Sequence, residues 1–209
     1  MKDFSLYVIT GEQFYPERNY LEVIEEAING GADIVQLREK KKTKRELLDM
    51  AKHLKDLCVR YDVPFIVNDH VDIALAVDAD GVHLGQDDLP LEEARKILGP
   101  DKIIGISTHK LEEAKRAEEG GADYIGVGPV FPTITKEDVV DPVGLEYVRE
   151  VVAHIRIPFV AIGGIKLHNV DQVLEAGAER ICIVSAIVGA EDVQGAARAF
   201  ASKIKQVRK

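Results

Sequence analysis

Short runs rich in Val and Ile alternate with longer amphipathic stretches along the whole chain, and that alternation leaves few folds open. The runs are Leu6 to Ile9, Asp33 to Leu37, Phe65 to Val67, Gly81 to Leu84, Ile103 to Ile106, Tyr124 to Val127, Phe159 to Ile162 and Ile181 to Val184. They lack strict polar alternation, as strands covered on both faces do, and so predict a parallel sheet with helices packed against it. Between them, Lys44 to Arg60, Leu91 to Leu98, Leu111 to Glu119 and Leu145 to His154 carry helical spacing, and Val193 to Val207 closes the chain. In the second of these stretches Leu91, Ala94, Ile97 and Leu98 share one face, and Pro90 suits the first helical turn.

A weak repeat supports the same unit. Gly31-Ala32-Asp33-Ile34, Gly121-Ala122-Asp123-Tyr124 and Gly177-Ala178-Glu179-Arg180 each put Gly after a helix and an acid before a strand, with Ala79-Asp80-Gly81 as a looser copy. Gly at a helix end followed by a short entry into a strand is the turn that an α-to-β connection uses. With 209 residues, 46% of them hydrophobic, the chain supplies one substantial core. The expectation is α/β: a single-domain (β/α)8 TIM barrel over residues 1–209, with its site at the C-terminal ends of the strands. An open doubly wound sheet is the alternative, but it gathers ligands at one switch point rather than after nearly every strand.

The formal net charge of -9 argues against nucleic acid as a partner, since backbone phosphates are met by a basic face. No apolar run approaches the ~18 residues of a membrane span, and Met1-Lys2-Asp3 leads straight into strand-like sequence. A cytoplasmic protein without membrane contact is expected; homo-oligomerisation is left open. Cys58 and Cys182 form neither a disulfide framework nor a zinc motif, and are expected as small buried apolar residues.

The chemistry collects where the strands end. Asp69 and Asp88 each follow a strand, and two carboxylates at ~4 Å repel by about 4 kcal/mol at an effective dielectric of ~20, so such a pair invites a cation. Without suitably spaced His or Cys, oxygen ligands favour Mg2+, which keeps waters and takes phosphate oxygens as its other ligands. Each aspartate also fits a helix N-cap worth about 1 kcal/mol. Arg38 and Lys40 follow the second strand at alternating positions; the Arg38 fork suits phosphate oxygens, whereas Lys41 and Lys42 read as surface. After the sixth strand runs the longest loop, with Thr133, Thr135 and Lys136 as donors to an anion. Gly163-Gly164 and Val184-Ser185 follow the seventh and eighth strands, where such barrels bind phosphate; a tight turn is the other explanation for the glycines.

Gln36-Leu37-Arg38-Glu39-Lys40, Asn68-Asp69, His83-Leu84-Gly85-Gln86-Asp87-Asp88, Gly105-Ile106-Ser107-Thr108-His109, Gly128-Pro129-Val130-Phe131-Pro132-Thr133-Ile134-Thr135-Lys136, Ala161-Ile162-Gly163-Gly164-Ile165 and Val184-Ser185-Ala186 occur in this order. Together they resemble the thiamine-phosphate synthase family. The resemblance implies a (β/α)8 barrel that joins 4-amino-5-hydroxymethylpyrimidine diphosphate to a thiazole phosphate, forming thiamine monophosphate and releasing diphosphate. It implies that Gln36, Leu37, Arg38, Glu39, Lys40, Asn68, Ser107 and Lys136 bind the pyrimidine diphosphate, with Arg38, Lys40 and Lys136 also serving catalysis. It further implies that Thr133, Ile134, Thr135, Gly164, Val184 and Ser185 bind the thiazole phosphate, and that Asp69 and Asp88 hold Mg2+. Two positions depart from the family pattern: His70 where Arg is common, and Gly11 where Asp is common.

Two other readings share these residues. A thiazole tautomerase of the same barrel family would use a side chain such as His109, in Ser107-Thr108-His109, for proton transfer. A noncatalytic protein that binds phosphate esters would use the rim without turnover. The tautomerase would have little use for the set Arg38, Lys40, Asp69, Asp88 and Lys136, whereas binding without metal-dependent diphosphate release is the signature of the noncatalytic protein.

Overall fold

The computed structural model describes residues 2–133 and 141–208, and its eight parallel strands close into a barrel in sequence order. They are β1 (Leu6–Ile9), β2 (Ile34–Leu37), β3 (Phe65–Asn68), β4 (Gly81–Leu84), β5 (Ile103–Thr108), β6 (Tyr124–Val127), β7 (Phe159–Ile162) and β8 (Ile181–Ile183). The ring closes where Leu6 of β1 lies against Ile181 of β8 and Tyr7 against Cys182. Outside it run α1 (Tyr20–Asn29), α2 (Lys44–Tyr61), α3 (Val71–Ala76), α4 (Leu91–Leu98), α5 (Leu111–Glu119), α6 (Gly144–His154) and α7 (Val170–Glu175). The short α8 (Ser185–Val188) and the long α9 (Val193–Val207) follow β8. The (β/α)8 expectation is met.

Strand residues divide between two apolar layers. Along β1, Leu6 and Val8 join the outer layer under the helices, whereas Tyr7 and Ile9 join an inner cluster with Phe4, Ile34, Ile66, Tyr124 and Cys182. This is the two-residue period of a strand expressed in a closed sheet, with both faces dry. Phe4 plugs the inner cluster, its ring edge-on to those of Tyr7 and Tyr124 at 5.9 Å each. Cys58 and Cys182 are both free and buried, as expected, and burial pushes the Cys58 thiol up to about 12.

Three of the four acidic residues of the repeat, Asp33, Asp80 and Asp123, have a role that the repeat alone does not assign. Asp33 donates its backbone N–H to the Leu6 carbonyl at 3.0 Å, and its carboxylate accepts from the backbone N–H groups of Ser5 and Leu6. Asp80 does the same with Phe65, and Asp123 with Ile104, their carboxylates accepting at 2.9 and 2.8 Å. Each clamp fixes the start of an odd-numbered strand to the entry of the next even one, at the end of the barrel opposite the expected site. Glycines just upstream set up the geometry: Gly31 and Gly121 have φ of 112° and 82°, which a side chain would strain.

Most strand and helix ends fall where the apolar pattern stops, and the exceptions have local causes. Asp33 lies outside β2 because it is spent on its clamp. The β5 strand runs two residues further than the pattern, to Thr108, because Ser107 and Thr108 still pair with Gly126 and Val127 of β6. Val184 leaves β8 with ψ at -96° and leads into α8.

Candidate active site

Leu37 of β2 pairs with Val67 of β3, so the residues that follow leave the barrel side by side. Arg38, Lys40, Asn68, Asp69 and His70 line one small cleft there. Lys40 Nζ reaches Asp69 Oδ2 at 2.5 Å, with the carboxylate side chain only 16% exposed. Asp69 sits at φ 60°, in the left-handed region that costs a non-glycine residue about 1–3 kcal/mol. It does not cap a helix: His70 holds the N-cap position of α3 and makes no side-chain cap bond. The backbone N–H of Asp69 instead donates to the His83 carbonyl at 3.0 Å, holding the end of β3 to β4.

Asp88 also escapes its simpler explanation. Pro90 holds the N-cap position of α4, and the Asp88 carboxylate accepts from the backbone N–H of Gly85 at 2.7 Å, closing the turn after β4. That turn carries Asp88 to Asp69. Burial first, and then the hydrogen bond and repulsion of the facing Asp69 carboxyl, hold the Asp88 carboxyl above the usual carboxylate range. The two carboxyls and Lys40 therefore form one cluster assembled from three successive strand ends.

The other residues of the β2 end tie it to the segment after β1. Arg38 is half-buried, and its backbone N–H donates to Thr10 Oγ1 at 2.9 Å. Glu39 turns its buried carboxylate to the loop after β1, accepting from the Glu12 N–H at 3.1 Å and from the Tyr15 hydroxyl at 3.4 Å. Lys42, expected as surface, pairs with Glu12 at 2.8 Å and keeps a side chain only 27% exposed. Glu39 and Lys42 thus brace the loop over β1.

Gln36, fully buried inside the barrel, and Ser107, half-buried at the end of β5, are joined through three residues to which motif reading gave no role: Tyr7, Tyr124 and His83. The signal was a polar residue at an inward position of an apolar strand, Gln36 in β2 and His83 in β4, but their connection depends on which strands become neighbours. His109 lies beyond β5 with Nδ1 at 2.6 Å from the Gly128 carbonyl.

On the far side of the mouth, Gly163 and Gly164 have φ of 101° and 65°, so the tight-turn explanation holds. The close approach they permit is to the protein itself. A Cβ on Gly164 would press the Pro132 carbonyl oxygen at 2.6 Å and Phe131 Cβ at 2.8 Å. The Phe131 N–H donates to the Gly163 carbonyl at 3.0 Å, which lays the loop after β6 against the end of β7 and brings Thr133 to this rim. Val184 and Ser185 open the one-turn α8 beside it. Ile134, Thr135 and Lys136 lie outside the described residues.

A closed (β/α)8 barrel that gathers two carboxyls and a lysine on one side of its mouth, and a glycine turn and a short extra helix on the other, has the build of a TIM-barrel enzyme, whose active site lies at that end. The profile of the thiamine monophosphate synthase family matches residues 6–187. A thiamine-phosphate synthase of Halalkalibacterium halodurans is 66% identical over 206 residues, covering 99% of this chain and 98% of the relative. One from Shouchella clausii is 63% identical, covering 99% of each. The solved thiamine phosphate pyrophosphorylase of Pyrococcus furiosus superposes with a TM-score of 0.89 at 45% identity, covering 99% of this chain and 98% of that one. The chain belongs to the thiamine monophosphate synthase family and is an enzyme of the transferase class. A 3-hexulose-6-phosphate synthase, at 20% identity and a TM-score of 0.68 over 95% of this chain and 99% of that one, shares the fold alone. Among the described residues no helix is long and apolar enough to cross a membrane.

Proposed function

We propose that this chain couples 4-amino-5-hydroxymethylpyrimidine diphosphate with a thiazole phosphate to give thiamine monophosphate and diphosphate. The thiazole is 4-methyl-5-(2-hydroxyethyl)thiazole phosphate or its 2-carboxy-4-methylthiazole counterpart with the same phosphorylated arm, which would also lose its carboxyl group as CO2 once the ring nitrogen is alkylated, the electron pair left on the ring carbon taking up a proton. The observation that carries the reading is the cluster of Lys40, Asp69 and Asp88 on a chain so similar to thiamine-phosphate synthases.

The bond that breaks joins the pyrimidine methylene carbon to a diphosphate oxygen, which keeps the electron pair. The bond that forms takes its pair from the thiazole nitrogen. The proposed mechanism is dissociative, with the first bond broken before the second forms. No protein nucleophile is required; the protein's task is to hold the two substrates and neutralise the leaving group. Arg38 and Lys40, which line the cleft at the end of β2, would serve that neutralisation. Asp69 and Asp88 would hold Mg2+, and their donor set fits: two facing carboxyls with the other positions left to water and phosphate oxygens. When bound, Mg2+ supplies positive charge to the departing diphosphate. The second substrate's phosphate is assigned to the far side of the mouth, at Thr133, Gly164, Val184 and Ser185.

Diphosphate release measured with both substrates, with and without Mg2+, tests the reading. Release that requires both substrates and the metal is expected, and no release under any condition rejects it. Tautomerisation of a thiazole through His109 would leave the Lys40, Asp69 and Asp88 cluster without a task.

A further inference from the structure

A continuous file of hydrogen bonds crosses the barrel interior, and its three middle members have no part in the phosphate or metal chemistry above. Gln36 Nε2 donates to the Tyr7 hydroxyl at 2.8 Å, and the Tyr7 and Tyr124 hydroxyls meet at 3.0 Å. Tyr124 meets His83 Nδ1 at 2.9 Å, and His83 Nε2 meets Ser107 Oγ at 2.8 Å. The file starts on β2 and ends on β5 by way of β1, β6 and β4.

Glycines make room for it. Gly105 lies between His83 and Tyr124 in the sheet register, and a Cβ there would overlap the Tyr124 ring. A Cβ on Gly126 would press His83 Cε1 at 3.2 Å. Glycine inside a strand weakens the strand, so two of them flanking one lane mark a place where other groups must pass.

With Gln36 Nε2 turned to Tyr7, giving each hydroxyl proton an acceptor runs the file in one direction. An amide nitrogen donates and does not accept, so Tyr7 accepts from Gln36 and passes its own proton to Tyr124. Tyr124 then donates to His83 Nδ1. An imidazole whose Nδ1 accepts carries its proton on Nε2 and gives it to Ser107 Oγ. The Ser107 proton is thereby turned away from His83. Burial raises the ionisation of both tyrosines above its ordinary value, which keeps the two hydroxyls in their proton-bearing form. The Ser107 backbone is held separately, its carbonyl accepting from Gln86 Nε2 at 2.7 Å.

We propose that Tyr7, Tyr124 and His83 are positioning residues that lock the Ser107 hydroxyl as a hydrogen-bond donor to an acceptor atom of the diphosphate-bearing substrate. The identity of that substrate rests on the function proposed above; the polarity of the file does not. With the opposite polarity Ser107 would spend its proton on His83 and present a lone pair, which repels a phosphate oxygen or a ring nitrogen.

The test combines a spectroscopic and a binding measurement. In protein labelled with 15N-histidine and free of substrate, the His83 signals, assigned by their loss in His83→Gln, are expected to show the Nε2–H tautomer. Nδ1–H in the unaltered protein overturns the proposal. Calorimetry then gives the affinity for the pyrimidine diphosphate in Tyr7→Phe, in Ser107→Ala and in the double variant. Tyr7→Phe is expected to weaken binding about five- to tenfold, the worth of one hydrogen bond, and to add nothing once Ser107 is alanine. Additive effects overturn the proposal, since Tyr7 would then not act through Ser107. Should Tyr7→Phe not fold, Tyr124→Phe is read in the same cycle. An Nε2–H tautomer in a protein that releases no diphosphate upholds the polarity and rejects the reaction instead.

Discussion

Asp69 holds a left-handed backbone, φ 60°, while its carboxylate meets Lys40 Nζ at 2.5 Å across the seam between β2 and β3. Asp69 caps no helix, and its side chain meets a lysine and a second carboxyl, the position that the proposed metal role requires. Asp69→Asn keeps a side chain that tolerates φ above zero and removes the charge. Turnover is expected to fall about a hundredfold or more with the thermal midpoint within a few degrees of the parent. Steady-state diphosphate release beside a melting curve decides this, and near-normal turnover would reject the assigned role.

Asp88 tests the metal separately. Its carboxylate also closes the Gly85 turn, and an amide oxygen in Asp88→Asn preserves that acceptor. The variant is expected to need about tenfold or more Mg2+ for half-maximal activity, while chelation silences the parent enzyme reversibly. An unchanged Mg2+ requirement would take Asp88 out of the ligand set.

At the other rim, Asp33→Ala leaves the Ser5 N–H, the Ser5 hydroxyl and the Leu6 N–H without their acceptor. A loss of about 1–3 kcal/mol of stability is expected from denaturant titration. Turnover at a temperature where the variant is folded should match the parent, because the clamp and the site lie at opposite ends of the barrel. A large fall in turnover with unaltered stability would contradict this division.

The tyrosines give the chain a defined alkaline limit. Burial holds the hydroxyls of Tyr7, Tyr15, Tyr20, Tyr124 and Tyr147 above their ordinary value of 10.0, with Tyr147 pushed up to about 12. Above pH 10 the unfolded chain therefore releases protons that the folded one keeps. The stability these groups contribute is whole below pH 10 and declines as pH rises toward their folded values. The denaturation midpoint should fall from pH 10 to pH 12, with tyrosinate absorbance of the folded protein lagging behind that of the denatured chain. Coincident titration of the two states would show that these hydroxyls are not buried as described.

The barrel was legible because burial on both faces writes itself as short apolar runs, and Leu6–Ile9, Gly81–Leu84, Tyr124–Val127 and Phe159–Ile162 begin and end where those runs do. The short α8 was not legible as a helix, since Ser185–Val188 is a single turn and has no period to read. At the site, residue types and order pointed to Asp69 and Asp88, but the cap and ligand readings separated only when His70 and Pro90 were seen to hold the cap positions. The roles of Glu39 and Lys42 depend on the loop after β1 folding back over β2, which no local pattern encodes. The file from Gln36 to Ser107 was hidden for the same reason: its members are adjacent only after the sheet has closed.

The Leu6–Asp33, Phe65–Asp80 and Ile104–Asp123 clamps have a consequence for how the ring coheres. They staple β1 to β2, β3 to β4 and β5 to β6, making two-strand cassettes at one rim. At the opposite rim, Lys40 with Asp69, His83 with Ser107, and Phe131 with Gly163 cross from one cassette to the next. Residues of the site thus join one cassette to the next at the mouth, where they also bond within a cassette, as Asp69 does with the His83 carbonyl. A change of side chains at the mouth leaves the three aspartate fastenings, at the other end of the cylinder, in place.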